Sequence, residues 1–494
     1  MIKPQFETYR YTSEICNLQS QSMVECRLSG SEVGSILATT AFANLTESTC
    51  ENGVIKYSGK LIVTVVYEDS DGNVCKVERG VEFSHKAEHS EVSPACFANI
   101  YFSTENISYR REGAGVYISV IVMADITLFG GKKMEYFIGG ENIVTKQEPT
   151  KLCYHTFVVG EYKGEDEFET EELGDILLHN QQVLITRAQA NAGEIEVEGE
   201  LCVSVCELQE AQGICTYERI IPFKSNVPFE EAYNTVNVGV KGVVKDVQLN
   251  VVVDEDKGKS KILFSYAIGL HCQLYVQEEI SVASDCFSTA CNLAFDTVQD
   301  SGRYLTNCIK GIERISGSAI CNPALEGEFT LKATATAKAE LTCKKTGDGF
   351  EVEGVILAQL FFVGEDGGHR SAVLSLPCLF PVSLSGDSFE VEGLVCGLNV
   401  KRRKSGEVEA EAVLKYVIKE YERYDWTYIA NVTEGEALVK KQNARSIFLP
   451  VAGESLWEVA KRLKCTPEQV EKNNAGLEFP IKEGERIFVY RKID

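Results

Sequence analysis

The sequence is short of basic residues, and this shortage narrows the range of expected partners. Its 494 residues include 49 Lys and Arg against 73 Asp and Glu, a formal net charge of −24. Nucleic acids and anionic membranes both favour basic surfaces, so neither is expected as the main partner. The chain is too long for one hydrophobic core, and about three to four domains are expected.

Long hydrophobic runs are also missing. No stretch approaches the roughly 18 consecutive apolar residues of a membrane-spanning helix, so no transmembrane segment is expected. Residues 1–20 are polar and lack the apolar core of a signal peptide. The sequence therefore predicts a protein that begins in the cytoplasm.

The motifs of common catalytic and metal sites do not occur. There is no phosphate-binding loop, since 130–133 lacks its spacing, and no Gly-x-Ser-x-Gly nucleophile elbow. His85 and His89 are separated by three residues, but the residues between them do not form the His-Glu-x-x-His zinc pattern. We therefore expect no catalytic residues, no cofactor and no metal site.

The 18 cysteines are spread along the chain and form no Cys-x-x-Cys pair. Cys202 and Cys206 lie four apart on a predicted strand, and Cys286 and Cys291 five apart, without further ligand residues beside them. In a chain without an export signal, most are expected to be reduced and buried as small hydrophobic residues. Later oxidative cross-linking in an assembled layer is the alternative.

A long strand with a central glycine recurs three times. Apolar and polar residues alternate through 54–67, 194–206 and 350–362, around Gly59, Gly199 and Gly354. Period-two alternation is typical of an antiparallel strand with one face in water. A glycine on the apolar face indicates a bulge or a close approach of another segment. Each copy ends with a second alternating strand, at 116–129, 261–276 and 407–420.

This repeat predicts a mainly β protein with three antiparallel, β-sandwich-like domains and a small C-terminal βααβ module. The predicted boundaries are 1–150, 151–300, 301–440 and 441–494. Three stretches read as less regular connections: 161–175, which is densely acidic, 285–310 and 421–445. Such connections would let the domains reorient or add strands to the sheets.

The C-terminal module has two clear helix starts. Ser455 with Glu458, and Thr466 with Gln469, have the spacing of capping boxes, and Pro467 occupies a first helical position. Short apolar strands are predicted at 447–451 and 486–490. A unit of this size and order is typical of a recognition module and not of an enzyme.

The module resembles a LysM domain, with its matching segments at 453–457, 459–462, 473–474 and 481–487. It departs from the family pattern at Glu454, where Asp is usual, and near Gly484, where a Pro is missing. The resemblance implies binding of N-acetylglucosamine-containing glycans between the first loop and the loop after the second helix. The binding residues it implies are Gly453, Glu454, Ser455, Leu456, Trp457, Asn473, Asn474 and Ile481.

Some of these residues have structural alternatives. Ser455 is needed as an N-cap and Leu456 in the core. The Trp457 indole would either contact a ligand or pack against the strands.

The three strand repeats followed by this module resemble the SPOCS-domain proteins of spore-forming Firmicutes. The resemblance rests on the spacing of apolar residues around the glycines at 54–61, 194–201 and 350–356. It implies a non-enzymatic scaffold made in the mother cell, located at the forespore surface and active in spore-coat assembly. Its implied partners are a coat morphogenetic ATPase, bound by the LysM domain, and other coat proteins. The alternatives are a peptidoglycan-binding cell-wall or cortex protein and an enzyme carrying a LysM targeting module.

Overall fold

A computed structural model describes residues 2–490 except 30–32, 113–114, 171–173, 211–212, 235, 255–258, 326–327, 348, 403–406 and 439–444. The described chain is mainly β, with antiparallel pairing and two short helices, which confirms the predicted fold class at this level. No helix within the described residues is long and apolar enough to cross a membrane.

The strands fall into three successive sets of six, which we call units 1, 2 and 3. Unit 1 contains β1 (Lys3–Ser29), β2 (Val33–Glu51), β3 (Val54–Asp69), β4 (Val74–Glu88), β5 (Phe97–Glu112) and β6 (Gly115–Glu141). Unit 2 contains β7 (Ile143–Thr170), β8 (Gly174–Asn191), β9 (Glu194–Gln209), β10 (Gly213–Pro228), β11 (Asn237–Asp254) and β12 (Lys259–Ser288). Unit 3 contains β13 (Cys291–Asn322), β14 (Phe329–Thr346), β15 (Gly349–Gly364), β16 (His369–Val382), β17 (Ser388–Arg402) and β18 (Val408–Ala437). The boundaries predicted at 150 and 300 lie within β7 and β13.

The same strand order recurs in each unit. In unit 1 one sheet has the order β1-β6-β5 and the other β2-β3-β4, and units 2 and 3 repeat this with their corresponding strands. In unit 3 a short pairing of 320–322 with 373–375 joins the two sheets. The first and last strands of every unit are therefore neighbours.

The two sheets of each unit pack face to face. In unit 1, Leu61, Val63 and Val65 of β3 share a buried cluster with 116–122 of β6. Units 2 and 3 have the corresponding clusters, built around β9 with β12 and β15 with β18. Alternation therefore places one face of each central strand in a core between two sheets.

The recurrent glycines lie where the neighbouring chain comes closest. A Cβ at Gly199 would lie 2.6 Å from Cζ of Phe223, and one at Gly59 the same distance from Cζ of Phe83. The strands opposite both glycines carry a bulge at that position. The predicted close approach and bulge are confirmed for units 1 and 2. In unit 3, Gly354 instead lies against the carbonyl of Glu340.

The first and last strands of each unit are 27 to 32 residues long and extend beyond the sandwich as a two-stranded ribbon. We call these ribbons arm 1 (3–13 with 130–141), arm 2 (143–154 with 276–288) and arm 3 (291–304 with 422–437). The stretches 285–310 and 421–445 are therefore strand over most of their length, the second of the two alternatives given for them, and the described part of 161–175 lies in β7 and β8. Three register shifts interrupt the pairing of β13 with β18, and the one between Leu305 and Asn307 places an extra residue in β13, which shifts its two-residue period.

The three arms bury one another, so each unit contacts both of the others. Two apolar clusters join them, with the buried members Ile2, Tyr11, Met134, Tyr136, Phe137, Leu152, Val282, Ala283, Cys286, Cys291, Trp426, Ile429 and Val432. Asp300 of arm 3 accepts hydrogen bonds from the Tyr11 hydroxyl (2.5 Å) and from Lys132 Nζ (3.0 Å) of arm 1. A further cluster joins the units away from the arms and includes Val66, Cys206 and Phe361, which hold equivalent places in β3, β9 and β15.

His155 lies at the base of arm 2 with its ring almost completely buried. Its Nδ1 lies 3.1 Å from Nε2 of Gln273, and its ring packs against Tyr275 and Phe129. Burial, together with the positive charge of Arg303, lowers the pKa of His155 to about 4. The folded protein therefore favours the neutral imidazole.

Substitution of the central glycine tests the close approach. Gly199→Ala is expected to lower the free energy of unfolding by about 1–3 kcal/mol, because the new methyl group overlaps the Phe223 ring. Gly131→Ala is the matched control, since a Cβ there has open space, and a change below about 0.5 kcal/mol is expected. Equal effects of both variants in urea denaturation would contradict this account.

The buried imidazole predicts a loss of stability in acid. The unfolded chain takes up a proton near His155's ordinary pKa, whereas the folded chain resists it until about pH 4, so stability falls as pH falls through this window. Between about pH 7.5 and about pH 5 this loss amounts to about 2 kcal/mol. In His155→Gln the loss over this range should be smaller by that amount, as measured by denaturant unfolding. His85→Gln, at an exposed histidine, is the control.

Candidate functional site

The C-terminal module contains β19 (Arg445–Phe448), α1 (Leu456–Leu463), α2 (Pro467–Asn473) and β20 (Ile487–Tyr490), the predicted order. Both capping boxes form as expected. The Ser455 and Thr466 side chains accept from the backbone three residues on, and Glu458 and Gln469 accept from the cap backbone. β19 ends earlier than predicted, so 449–455 form a loop.

The module has its own small core. The inner face of α1, including Val459, Ala460 and Leu463, packs against Val470 of α2 and against β20. Cys465 is buried in this core, as predicted. Phe287 of arm 2 completes this cluster.

The first loop and the loop after α2 lie side by side, as the LysM resemblance implies. The Gly453 N–H donates to the Ile481 carbonyl (2.8 Å), and the Ile481 N–H donates to the Glu454 carbonyl (2.9 Å). The Glu454 carboxylate accepts from the Val451 N–H (2.9 Å) and forms an ion pair with Arg462. Gly453, Glu454 and Ile481 therefore come together, but Glu454 and Ile481 are buried.

The other predicted residues have different surroundings. Ser455 caps α1, and Leu456 is half-buried against the module core. The Asn474 side chain ties α2 to β20, donating to the Val470 and Phe488 carbonyls (2.8 and 2.9 Å) and accepting from the Phe488 N–H (2.6 Å). Asn473 ends α2 with a half-buried side chain.

Trp457 docks the module onto arm 2. Its Nε1 donates to Oδ2 of Asp285 (2.8 Å), and its ring meets Phe287 edge-on at 5.2 Å between centroids. Lys461 Nζ lies 2.6 Å from Oδ1 of the same aspartate. We call Asp285, Phe287, Trp457 and Lys461 the latch. In this arrangement the indole packs against a strand, which is one of the two roles expected of it.

The outer face of the module's small sheet is apolar and exposed. Ile447 and Phe488 stand opposite each other across the sheet and are 58% and 46% exposed. Leu449, Val451 and Tyr490 are also exposed. We call these five residues the apolar strand face. Sequence reasoning missed it, although unbroken apolar runs in both strands indicated burial or contact on two faces.

Comparison with known proteins identifies part of unit 1. Residues 32–112 match the family model described as SipL, SPOCS domain. This match supports a SipL-like SPOCS-domain protein. No curated protein and no solved structure matches the chain. A SPOCS domain of this type indicates a sporulation-related protein.

The SPOCS match spans β2 to β5 and includes the Gly59 strand. It therefore covers one complete sheet of unit 1 and the edge strand of the other. Among the residues that the structure describes, no group of three or more His, Cys, Asp and Glu side chains is placed to hold a metal ion. No disulfide joins any of the 18 cysteines, all of which lie within the described residues.

Removal of the latch carboxylate should loosen the module. Asp285→Ala takes away the acceptor of both Trp457 and Lys461, and faster hydrogen exchange is expected in α1 with unchanged exchange in β3. The expected loss of local stability is about 1–3 kcal/mol, the cost of leaving buried donors unpaired. Asp425→Ala is the control, because Asp425 is paired with Arg423 of its own strand. Unchanged exchange in α1 would show that the apolar contacts alone hold the module.

Proposed function

We propose that this SPOCS-domain protein is a non-enzymatic scaffold of spore-coat assembly, with a LysM-type C-terminal domain that binds a coat morphogenetic ATPase at the forespore surface. The SPOCS match supports the sporulation role. The observation that carries the binding role is the apolar strand face, which the rest of the described chain leaves uncovered while it engages Trp457. Other coat proteins are further partners in this proposal.

The three units support a scaffold role if they are copies of one SPOCS-type domain. All three have the same strand order, and each central strand carries the glycine that the matched segment of unit 1 contains. Their interiors are filled by side chains from both sheets. Three packed β-units of this kind provide a rigid body and surfaces for contact, which is what a structural layer requires.

The module's surfaces favour a protein partner over a sugar. Interface centres in protein complexes are rich in exposed aromatic and aliphatic side chains such as Ile447, Phe488 and Tyr490. An indole is a common stacking platform for sugars, but Trp457 here packs on Phe287. The latch also fixes the module, so its apolar strand face is presented in one orientation.

The proposed location is the mother-cell cytoplasm, at the surface of the forespore. The formal charge of −24 fits a partner other than nucleic acid. The ATPase partner and the location follow from the resemblance to SPOCS-domain proteins with a closing LysM domain. The same variants therefore test both the partner and the location.

Two substitutions in the full chain separate the two binding surfaces of the module. Phe488→Lys places a charge in the apolar strand face and should weaken pull-down of the coat ATPase at least tenfold. Asn473→Ala changes the predicted glycan groove and should leave pull-down unchanged. Met23→Lys, at an exposed apolar residue of β1, is the matched control. Loss with Asn473→Ala alone would move the partner site to the groove, and no loss with either would remove the module from this role.

The same variants, as fluorescent fusions, test the location. The parent and Met23→Lys should form a ring around the forespore, and Phe488→Lys should be diffuse. A sedimentation assay with insoluble peptidoglycan tests the cell-wall alternative. If the full chain sediments with peptidoglycan and Asn473→Ala does not, the result would favour a glycan-binding protein over the coat scaffold.

A further inference from the structure

A large cavity opens between units 1 and 3. It has a volume of about 1360 Å³ and is bordered by β2 and β5 of unit 1 and by β14 and β16 of unit 3, with β8 of unit 2 at its base. Hydroxyl and amide groups line much of it, and Phe42 and Tyr109 expose 43% and 51% of their surface there. The module and its apolar strand face lie on the arms and take no part in this cavity.

Three edge strands with equivalent positions converge at the cavity. The pairing with the central strands makes Thr40 of β2 equivalent to Asn180 of β8, because their partners Thr64 and Ser204 lie five residues after the central glycine. By the same register, Phe42 is equivalent to Gln182. The corresponding segment of β14 contains an extra residue, a bulge at 336–337.

The bulge in β14 forms part of the contact between units 2 and 3. Thr336 has a φ of 51°, a left-handed conformation that a β-branched residue rarely adopts. The next carbonyl, of Ala337, accepts hydrogen bonds from the side chains of Asn180 (3.4 Å) and Gln182. Side chains of β8 therefore hold a backbone carbonyl of the neighbouring unit.

The contact between units 3 and 1 has no such occupant among the described residues. It is made by single groups: the Ser371 hydroxyl donates to the Leu37 carbonyl, and the His369 N–H donates to Glu68 (3.0 Å). Thr40 and Phe42, the equivalents of the two residues that hold the Ala337 carbonyl, line open space instead. The contact between the first and last units thus lacks the backbone group that the contact between units 2 and 3 contains.

The edge of β2 has backbone groups available for pairing. The Ala41 carbonyl points away from β3, since it accepts from the Thr104 hydroxyl (3.0 Å) of the other sheet. Backbone groups two residues apart on a strand point the same way, so the Thr39 N–H and carbonyl also point away from β3, and Thr39 lines the cavity. Within the described chain, no residue hydrogen-bonds to Thr39 on that side.

We propose that this cavity is a docking site for an extended segment of a partner protein, which adds to the edge of β2 and packs its side chains against Phe42 and Tyr109. Main-chain pairing supplies affinity in this mode of recognition, and flanking side chains supply selectivity. The Ala337 carbonyl that Asn180 and Gln182 hold supports a polypeptide as the ligand, because a backbone group of another unit lies at the equivalent place there. This site is separate from the module surface proposed to bind the ATPase.

A selection from a phage library of random peptides, about 12 residues long, against the full chain tests the proposal. Peptides that bind the parent should bind Thr39→Val equally, because valine keeps the N–H, and should bind Thr39→Pro at least tenfold more weakly. Phe42→Lys should weaken binding to a similar degree, whereas Met23→Lys should not. Bound peptide should also slow hydrogen exchange at 39–41.

Peptides that bind Thr39→Pro and Phe42→Lys as tightly as the parent would overturn the proposal, as would a selection that enriches no peptide. Binding of soluble peptidoglycan fragments with the same sensitivity to Phe42→Lys would assign the cavity to a glycan and also overturn it. Pull-down of the ATPase by Phe42→Lys should remain normal. Failure at this site is therefore distinguishable from failure of the module's proposed role.

Discussion

The pairing of the first and last strands of each unit is the constraint on which the molecule depends. These strands outrun the sandwich by about a dozen residues, and an isolated two-stranded ribbon is at best marginally stable in water. Each arm must therefore bury its apolar side chains elsewhere. The three arms do so against one another, which draws the units into mutual contact, and arm 2 also offers the surface on which the C-terminal module rests.

Local patterns predicted the parts of the fold that obey one period. The alternation around Gly59, Gly199 and Gly354 located the central strands, and the capping residues located both helices. The arms were not predicted because register shifts along β13 and β18 interrupt the alternation of these strands. The burial of Val66, Cys206 and Phe361 between the units was also not predicted. Apolar residues on both faces of these strand ends indicated burial on both sides.

The candidate site was predictable as a module but not as a surface. Sequence reasoning selected the loops around Gly453 and Ile481, which the fold brings together. It had no means of knowing that Trp457 would find Asp285, a residue 172 positions earlier in the chain. With the indole turned inward, the exposed apolar area lies on the strands, where no described residue covers Ile447 and Phe488.

The bulge at Thr336 and Ala337 has a consequence for stoichiometry. Three similar units would ordinarily form three similar clefts. Each cleft could then bind a partner, and an assembly would branch in three directions at every chain. The bulge fills the cleft between units 2 and 3, and the cavity remains where the first unit meets the last. The three similar units therefore share one such cavity, and each chain binds one partner segment there. A single site of this kind favours linear assembly over a cross-linked network.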